Sequence, residues 1–288
     1  MALGVKRMPF SGTARGARGC GATPKASGDV ADFIPGHFRE SPKCPKSRQK
    51  PRHSERHAYP SPSLGFRSGG PLAMPPTMFP IPVVVLPGSG CTPTRECNFY
   101  DWFGRTVDSV EMKNADGSTQ KKYRAIMKNM PDPHVCRETA WIPFITTELI
   151  GPGEAANTVV VGHSSGAVAA MRLAEKTKLK GIMLVATYDS DMSDANERKS
   201  GYFTRDFDWK AIKSNCEFVC CVGGTLDDLV PIQTQRRVAM NCLGLVPNVP
   251  KKEWLELPNE DHFFTPPCSE LVALLERNVD AVVGSCER

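Results

Sequence analysis

A chain of 288 residues is long enough for one large domain or two small ones, with a core of useful size in either case. Its formal net charge of +5 belongs to one end: residues 1–79 hold 13 Lys or Arg against 4 Asp or Glu, and the remainder holds 23 against 27. No stretch approaches the ~20 apolar residues of a membrane helix, and no aromatic residues interleave the basic charges in a nucleic-acid-binding pattern.

Residues 1–79 read as a disordered, basic extension rich in Pro, Ser and Gly. They lack the continuous apolar segment of a signal peptide, so the expected location is cytoplasmic. Residues 1–60 are Arg-rich and acid-poor, as transit peptides are, which makes mitochondrial targeting the second reading even though prolines and glycines interrupt any long amphipathic helix. Met74 and Met78 stand just before the first strand, where a shorter product would begin. The eleven cysteines, among them the neighbours Cys220 and Cys221, show no metal-like spacing and read as reduced thiols.

Residues 80–288 form the second region, in which short β-rich runs alternate with helical ones. That is the pattern of an α/β domain whose mostly parallel central sheet of about six strands carries helices on both faces. The predicted strands are Val83–Leu86, Tyr123–Met127, Thr158–Val161, Gly181–Ala186, Glu217–Val222 and Glu253–Leu257. Several are apolar at consecutive positions, as strands buried on both faces are. Helical periodicity marks Phe99–Val110, His134–Leu149, Ser165–Lys176, Gln233–Cys242 and Ser269–Val282. Residues 111–122, containing Asn114-Ala115-Asp116-Gly117, read as an exposed loop. Residues 188–210 form a polar and aromatic excursion placed to cap the C-terminal edge of the sheet.

One junction in this series carries chemistry. The apolar run Thr158–Val161 passes through Gly162-His163-Ser164-Ser165-Gly166 into a helix former, the strand–turn–helix order of a nucleophile elbow. A serine hydroxyl is a poor nucleophile at neutral pH. It must stand clear of the backbone, where a histidine takes its proton and backbone N–H groups meet the oxyanion.

The acid and base of such a site follow the serine in the order Asp or Glu, then His. Asp227 and Asp228 come after Phe218–Val222 through a glycine-containing turn, where a carboxylate would leave the C-terminal end of a strand; turn chemistry or helix capping is the plainer reading of the same pair. His262 lies between the last strand and the last helix. His37, His53 and His57 are in the extension, His134 precedes Ser164, and His163 is on the wrong side of the turn, so His262 is the candidate base. The expected oxyanion donors are the backbone N–H groups of Ser165 and of Ser89, in Pro87-Gly88-Ser89-Gly90 after the first strand. A phosphate cradle is the rival reading of that loop, but neither Gly-x-Gly-x-x-Gly nor Gly-Lys-Ser/Thr is present.

Further blocks are more specific: Lys128-Asn129-Met130-Pro131-Asp132-Pro133, Arg137-Glu138, Trp141-Ile142-Pro143-Phe144, and Asn196-Glu197-Arg198 leading to Ser200-Gly201-Tyr202-Phe203-Thr204-Arg205. With the elbow, they make residues 82–282 resemble the serine hydrolases of the retinoblastoma-binding protein 9 family, an α/β-hydrolase group. The resemblance implies a triad of Ser164, His262 and an aspartate, with no metal or organic cofactor. The family's loop carries an Asp-Asp pair whose second member is catalytic. Anchoring on Pro231 puts Asp227 at that place, because Asp227, Val230 and Pro231 reproduce the family spacing; ordinal position favours Asp228.

Two departures bear on partners and loops. The stretch Leu149-Ile150-Gly151-Pro152-Gly153 lacks the Cys and Glu of the Leu-x-Cys-x-Glu motif through which the family is named, so binding of the retinoblastoma protein is not carried over. Glu260-Asp261-His262 replaces a Gly-His pattern, and residues 111–122 are extra.

The expected function is hydrolysis of small ester or amide substrates, aminoacyl or peptide compounds included, through an acyl-enzyme. The expected partner is a small-molecule substrate, with no nucleic acid and no membrane. The rival is a catalytically idle α/β-hydrolase-fold interaction protein. Trp141, Tyr202, Phe203 and Trp209 either line a substrate pocket or belong to the core.

Overall fold

In a computed structural model, residues 78–114 and 116–284 are described. The basic extension assigned to residues 1–79 therefore lies, apart from Met78 and Phe79, outside the described residues.

A seven-stranded sheet forms the centre. Its strands are β1 (Ile81–Leu86), β4 (Tyr123–Ile126), β5 (Val159–His163), β6 (Leu179–Val185), β7 (Cys216–Gly224), β8 (Val246–Pro247) and β9 (Lys252–Leu257), in spatial order β4-β1-β5-β6-β7-β9-β8. Every pairing is parallel, with Val84 beside Val160 and Val160 beside Ile182. A parallel ladder needs crossovers, and helices supply all but the short β8–β9 link: α1 (Tyr100–Ser109), α2 (Glu138–Phe144), α3 (Ser165–Ala174), α4 (Ala195–Ser200), α5 (Trp209–Ser214) and α6 (Ile232–Arg236), with α7 (Ser269–Val283) following the last strand. Two of the predicted helices are shorter in α-geometry than their periodicity suggested, because α2 and α6 each continue as a turn of π-helix, Ile145–Leu149 and Arg237–Cys242.

Alternation along each strand sorts the core into two layers. Val84, Leu86, Val160, Ile182, Leu184 and Cys221 join the layer under α2, α3 and α5. Val83, Val85, Val161, Met183, Val185 and Cys220 join the layer under α1 and α7. Each such side chain is buried, which for the valines, leucines, isoleucine and methionine stabilises the fold by about 1.5–3 kcal/mol apiece relative to exposure. Cys220 and Cys221 therefore point to opposite faces of β7. The eight cysteines among the described residues are unpaired, and burial pushes the thiols of this pair up, so that both stay neutral.

The structure corrects the sequence reading in two places and adds detail in a third. The seventh strand, β8, is two residues long, exposed, and ends on Pro247, too short to show a period. Residues 111–122 are not a loop: β2 (Glu111–Lys113) and β3 (Thr119–Lys121) form an antiparallel hairpin closed by the Asn114 N–H to the Ser118 carbonyl (2.8 Å) and by Gly117 at φ +82°. Both strands are polar and largely exposed, so no apolar alternation marks them. The excursion at 188–210 contains α4 and the start of α5, six-residue helices below the length at which periodicity is readable.

Among the described residues no helix is long and apolar enough to cross a membrane.

Candidate active site

Strand β5 is buried along its whole length and delivers Ser164 to a turn that no relaxed residue occupies: φ 55°, ψ −120°. Such strain persists only when the surroundings fix it. Two glycines make that possible. A Cβ on Gly162 would stand 2.3 Å from the Gly166 carbonyl oxygen, and a Cβ on Gly166 would stand 2.4 Å from the Leu86 carbonyl oxygen, so strand β1, the turn and α3 meet with no room for side chains. The Ser164 N–H is held by the Val185 carbonyl at 2.9 Å.

Asp227 leaves the end of β7 and is buried, with its carboxylate saturated. Oδ1 accepts from the N–H groups of Leu229 (3.0 Å) and Val230 (2.8 Å), and Oδ2 accepts from Gln235 Nε2 (2.9 Å). His262 Nδ1 lies 2.9 Å from Oδ2 and 3.0 Å from Oδ1. A carboxylate so engaged only accepts, so Nδ1 carries the proton and the neutral imidazole keeps its lone pair on Nε2. That is the tautomer a general base needs. Asp228 is exposed and points to no hydrogen-bond partner among the described residues. Ser164 Oγ makes no hydrogen bond among the described residues.

Ser164 and Ser89 open into one cavity of about 230 Å³, walled by Tyr188, Met192 and Glu197 on one side and by Leu229 and Val230 on the other. Neither the Ser89 nor the Ser165 N–H has a hydrogen-bond partner among the described residues, while the Gly88 N–H is occupied by the Tyr100 hydroxyl at 2.8 Å. A larger cavity of about 650 Å³ lies among residues 189–209 and does not include Ser164. Most of its charges are paired within the protein, Asp191 with Arg198, Arg205 with Glu138 and Asp189 with Arg237, whereas the smaller cavity is the one that holds Ser164. Trp141 and Tyr202 are core residues, whereas Phe203 and Trp209 line the larger cavity and not the one at Ser164.

Several contributors carry no local sequence signal as site residues. Glu197 on α4 accepts from Ser165 Oγ at 3.0 Å, and Ser165 Oγ also meets the Tyr188 hydroxyl at 3.1 Å. Burial pushes the Glu197 carboxyl above the usual carboxylate range, its hydrogen bonds with Tyr188 and Ser165 opposing the shift only in part. Gln235 sits eight residues beyond the carboxylate that it holds.

The parallel sheet, the strained serine turn and the carboxylate and imidazole paired on the loops after later strands are the arrangement of an α/β-hydrolase. No family model matches the chain. It is 38% identical over 160 residues to "Serine hydrolase RBBP9" of Rattus norvegicus, a match covering 56% of this chain and 79% of that protein. The ydeN gene product of B. subtilis has a similar fold, with TM-score 0.53 and 19% identity over 68% of this chain and 97% of that one. The chain belongs to the retinoblastoma-binding protein 9 family of serine hydrolases.

Proposed function

We propose that this serine hydrolase cleaves small ester or amide substrates, aminoacyl and peptide compounds among them, through an acyl-enzyme on Ser164. The observation that carries the reading is the two-pronged contact of His262 Nδ1 with the buried Asp227 carboxylate, on loops that converge at the sheet edge bearing Ser164. Ser164 Oγ attacks the carbonyl carbon while His262 Nε2 takes its proton. The tetrahedral oxyanion accepts hydrogen bonds from the N–H groups of Ser165 and Ser89, and collapse expels the alcohol or amine, which receives the proton from His262. Water repeats the sequence on the acyl-enzyme and frees the acid. Asp227 holds the tautomer and stabilises the imidazolium.

A fluorophosphonate probe tests the nucleophile, because only an activated serine reacts. Labelling of the wild-type protein and none of Ser164→Ala is expected; persistent labelling of the alanine variant overturns the assignment. For the acid, Asp227→Asn is expected to lower kcat by ~10²-fold or more, since the amide favours the wrong tautomer, with Asp228→Asn within twofold of wild type. An equal or larger loss in Asp228→Asn moves the acid to that residue.

A further inference from the structure

A second hydrogen-bonded chain runs behind the reactive groups and touches none of the atoms that would meet substrate. The Tyr100 hydroxyl accepts from the Gly88 N–H (2.8 Å) and from Asn98 Nδ2 (3.3 Å) and lies 2.6 Å from His163 Nδ1. Its single hydrogen goes to His163 Nδ1 and not to the more distant Cys91 Sγ (3.6 Å), because the other ring nitrogen, Nε2, faces a carbonyl oxygen that can only accept. His163 Nδ1 is then an acceptor, so the proton of the neutral ring is on Nε2, which donates to the His262 carbonyl oxygen at 3.1 Å. Tyr100, His163 and His262 are all at most 3% exposed, and the two imidazoles are tilted against each other with centroids 4.7 Å apart. Burial, and after it the neighbouring His262, hold His163 well below the usual histidine range, consistent with a ring that stays neutral.

The chain spans three loops that the fold builds separately. One follows β1 and carries Ser89, one is the elbow with Ser164, and one follows β9 and carries His262. We propose that Tyr100 and His163 are positioning residues that set the oxyanion loop and the base loop in register with the nucleophile. The proposal rests on the hydrolase reading above. Tyr100 occupies the Gly88 N–H, so the neighbouring Ser89 N–H is the donor left for the cavity. His163 holds the backbone of His262 from below while Asp227 holds its ring from the side. Small displacements of reacting groups are costly, which gives a chain of this kind a kinetic role distinct from its contribution to stability.

The test pairs kinetics with a measurement on the unaltered protein. In His163→Phe and Tyr100→Phe, kcat for a short acyl ester is expected to fall ~tenfold or more, with KM within about twofold, because alignment is lost while the cavity walls remain. His163→Gln, whose amide nitrogen can still donate to the His262 carbonyl, is expected to recover most of the loss seen in His163→Phe. Cooperative thermal unfolding establishes that each variant is folded. A folded His163→Phe with unchanged kcat, a loss confined to KM, or a glutamine variant no better than phenylalanine overturns the proposal. Imidazole ¹⁵N spectra of the wild-type protein decide the matter even where a variant fails to fold: His163 is expected as the neutral Nε2–H tautomer from about pH 5 to 9, a range that brackets the ordinary histidine value. An Nδ1–H tautomer, or titration within that range, overturns it. Absence of fluorophosphonate labelling in the wild type is a different failure, that of the hydrolase reading.

Discussion

The elbow at 162–166 and the cap at 188–210 face the same cavity but are held by opposite means. The elbow is fixed by backbone: a buried strand, a serine in a strained conformation and two glycines against carbonyl oxygens leave one arrangement open. The cap is fixed by one side chain of the helix that follows the elbow. Arg172 of α3, 2% exposed, donates from Nε to the Tyr202 carbonyl (3.1 Å) and from its Nη atoms to the carbonyls of Asp206 (3.0 Å) and Arg205 (2.6 Å) and to Glu175 (2.6 Å). Its guanidinium also lies 3.6 Å from the Phe207 ring centroid. A buried cation with every donor engaged holds an irregular segment in place, because each carbonyl that it satisfies would otherwise be stranded. Where chain geometry is over-determined, single atoms matter; where one side chain gathers a loop, that side chain matters.

Breaking the elbow is expected to have the largest effect. In Gly166→Ala the new methyl meets two backbone oxygens, of Leu86 and Pro87, at 2.4 and 2.6 Å, neither of which can rotate away. The expected outcome is a loss of ~3 kcal/mol or more of stability together with fluorophosphonate labelling, read by denaturant unfolding and gel fluorescence. A fully labelled variant of wild-type stability shows that the elbow is looser than its geometry.

Releasing the cap separates the two regions. Arg172→Met keeps much of the aliphatic volume and strands three carbonyls, and is expected to cost about 2–4 kcal/mol in urea unfolding. Labelling of Ser164 by a small probe is expected to persist, because the elbow does not depend on Arg172. Loss of labelling in a folded Arg172→Met protein means that the two regions form one cooperative unit.

The smallest effect concerns the contact that joins them. Glu197 of the cap meets Ser165 of the elbow, and its folded-state pKa is raised, chiefly by burial. A raised folded value favours the neutral acid, so this contribution to stability is present below the ordinary carboxylate value and is lost as pH rises through the folded one. Glu197→Gln carries no such charge. The difference in Tm between the glutamine variant and wild type is expected to shift in the variant's favour, by a few degrees, between about pH 4 and pH 8. A difference that stays flat across that window shows that Glu197 ionises without cost.

The buried strands β1, β5, β6 and β7 are legible from sequence because runs of consecutive apolar residues, rich in valine, fit strands covered on both faces. Val246–Pro247 and the polar hairpin at 111–121 carry no such pattern and are formed by what lies beside them. At the site, chain order nominates Ser164, Asp227 and His262 but leaves Asp228 open. The spacing to Pro231 favours Asp227 and ordinal position Asp228; in the structure Leu229, Val230 and Gln235 fold back onto the Asp227 carboxylate. His163 is set aside from sequence as a base because it precedes the serine, and the structure gives it two partners, 63 residues before it and 99 after it.

By itself the sequence determined the α/β alternation, the strand–turn–helix elbow at Ser164 and the family, since each is written in consecutive residues or in family-like blocks along the chain. The tertiary structure decided which aspartate meets His262, what anchors the cap and what stands behind the His262 backbone. These are contacts between residues tens of positions apart. Their partners are selected by the packing of the sheet and its loops, and local propensity is silent about them.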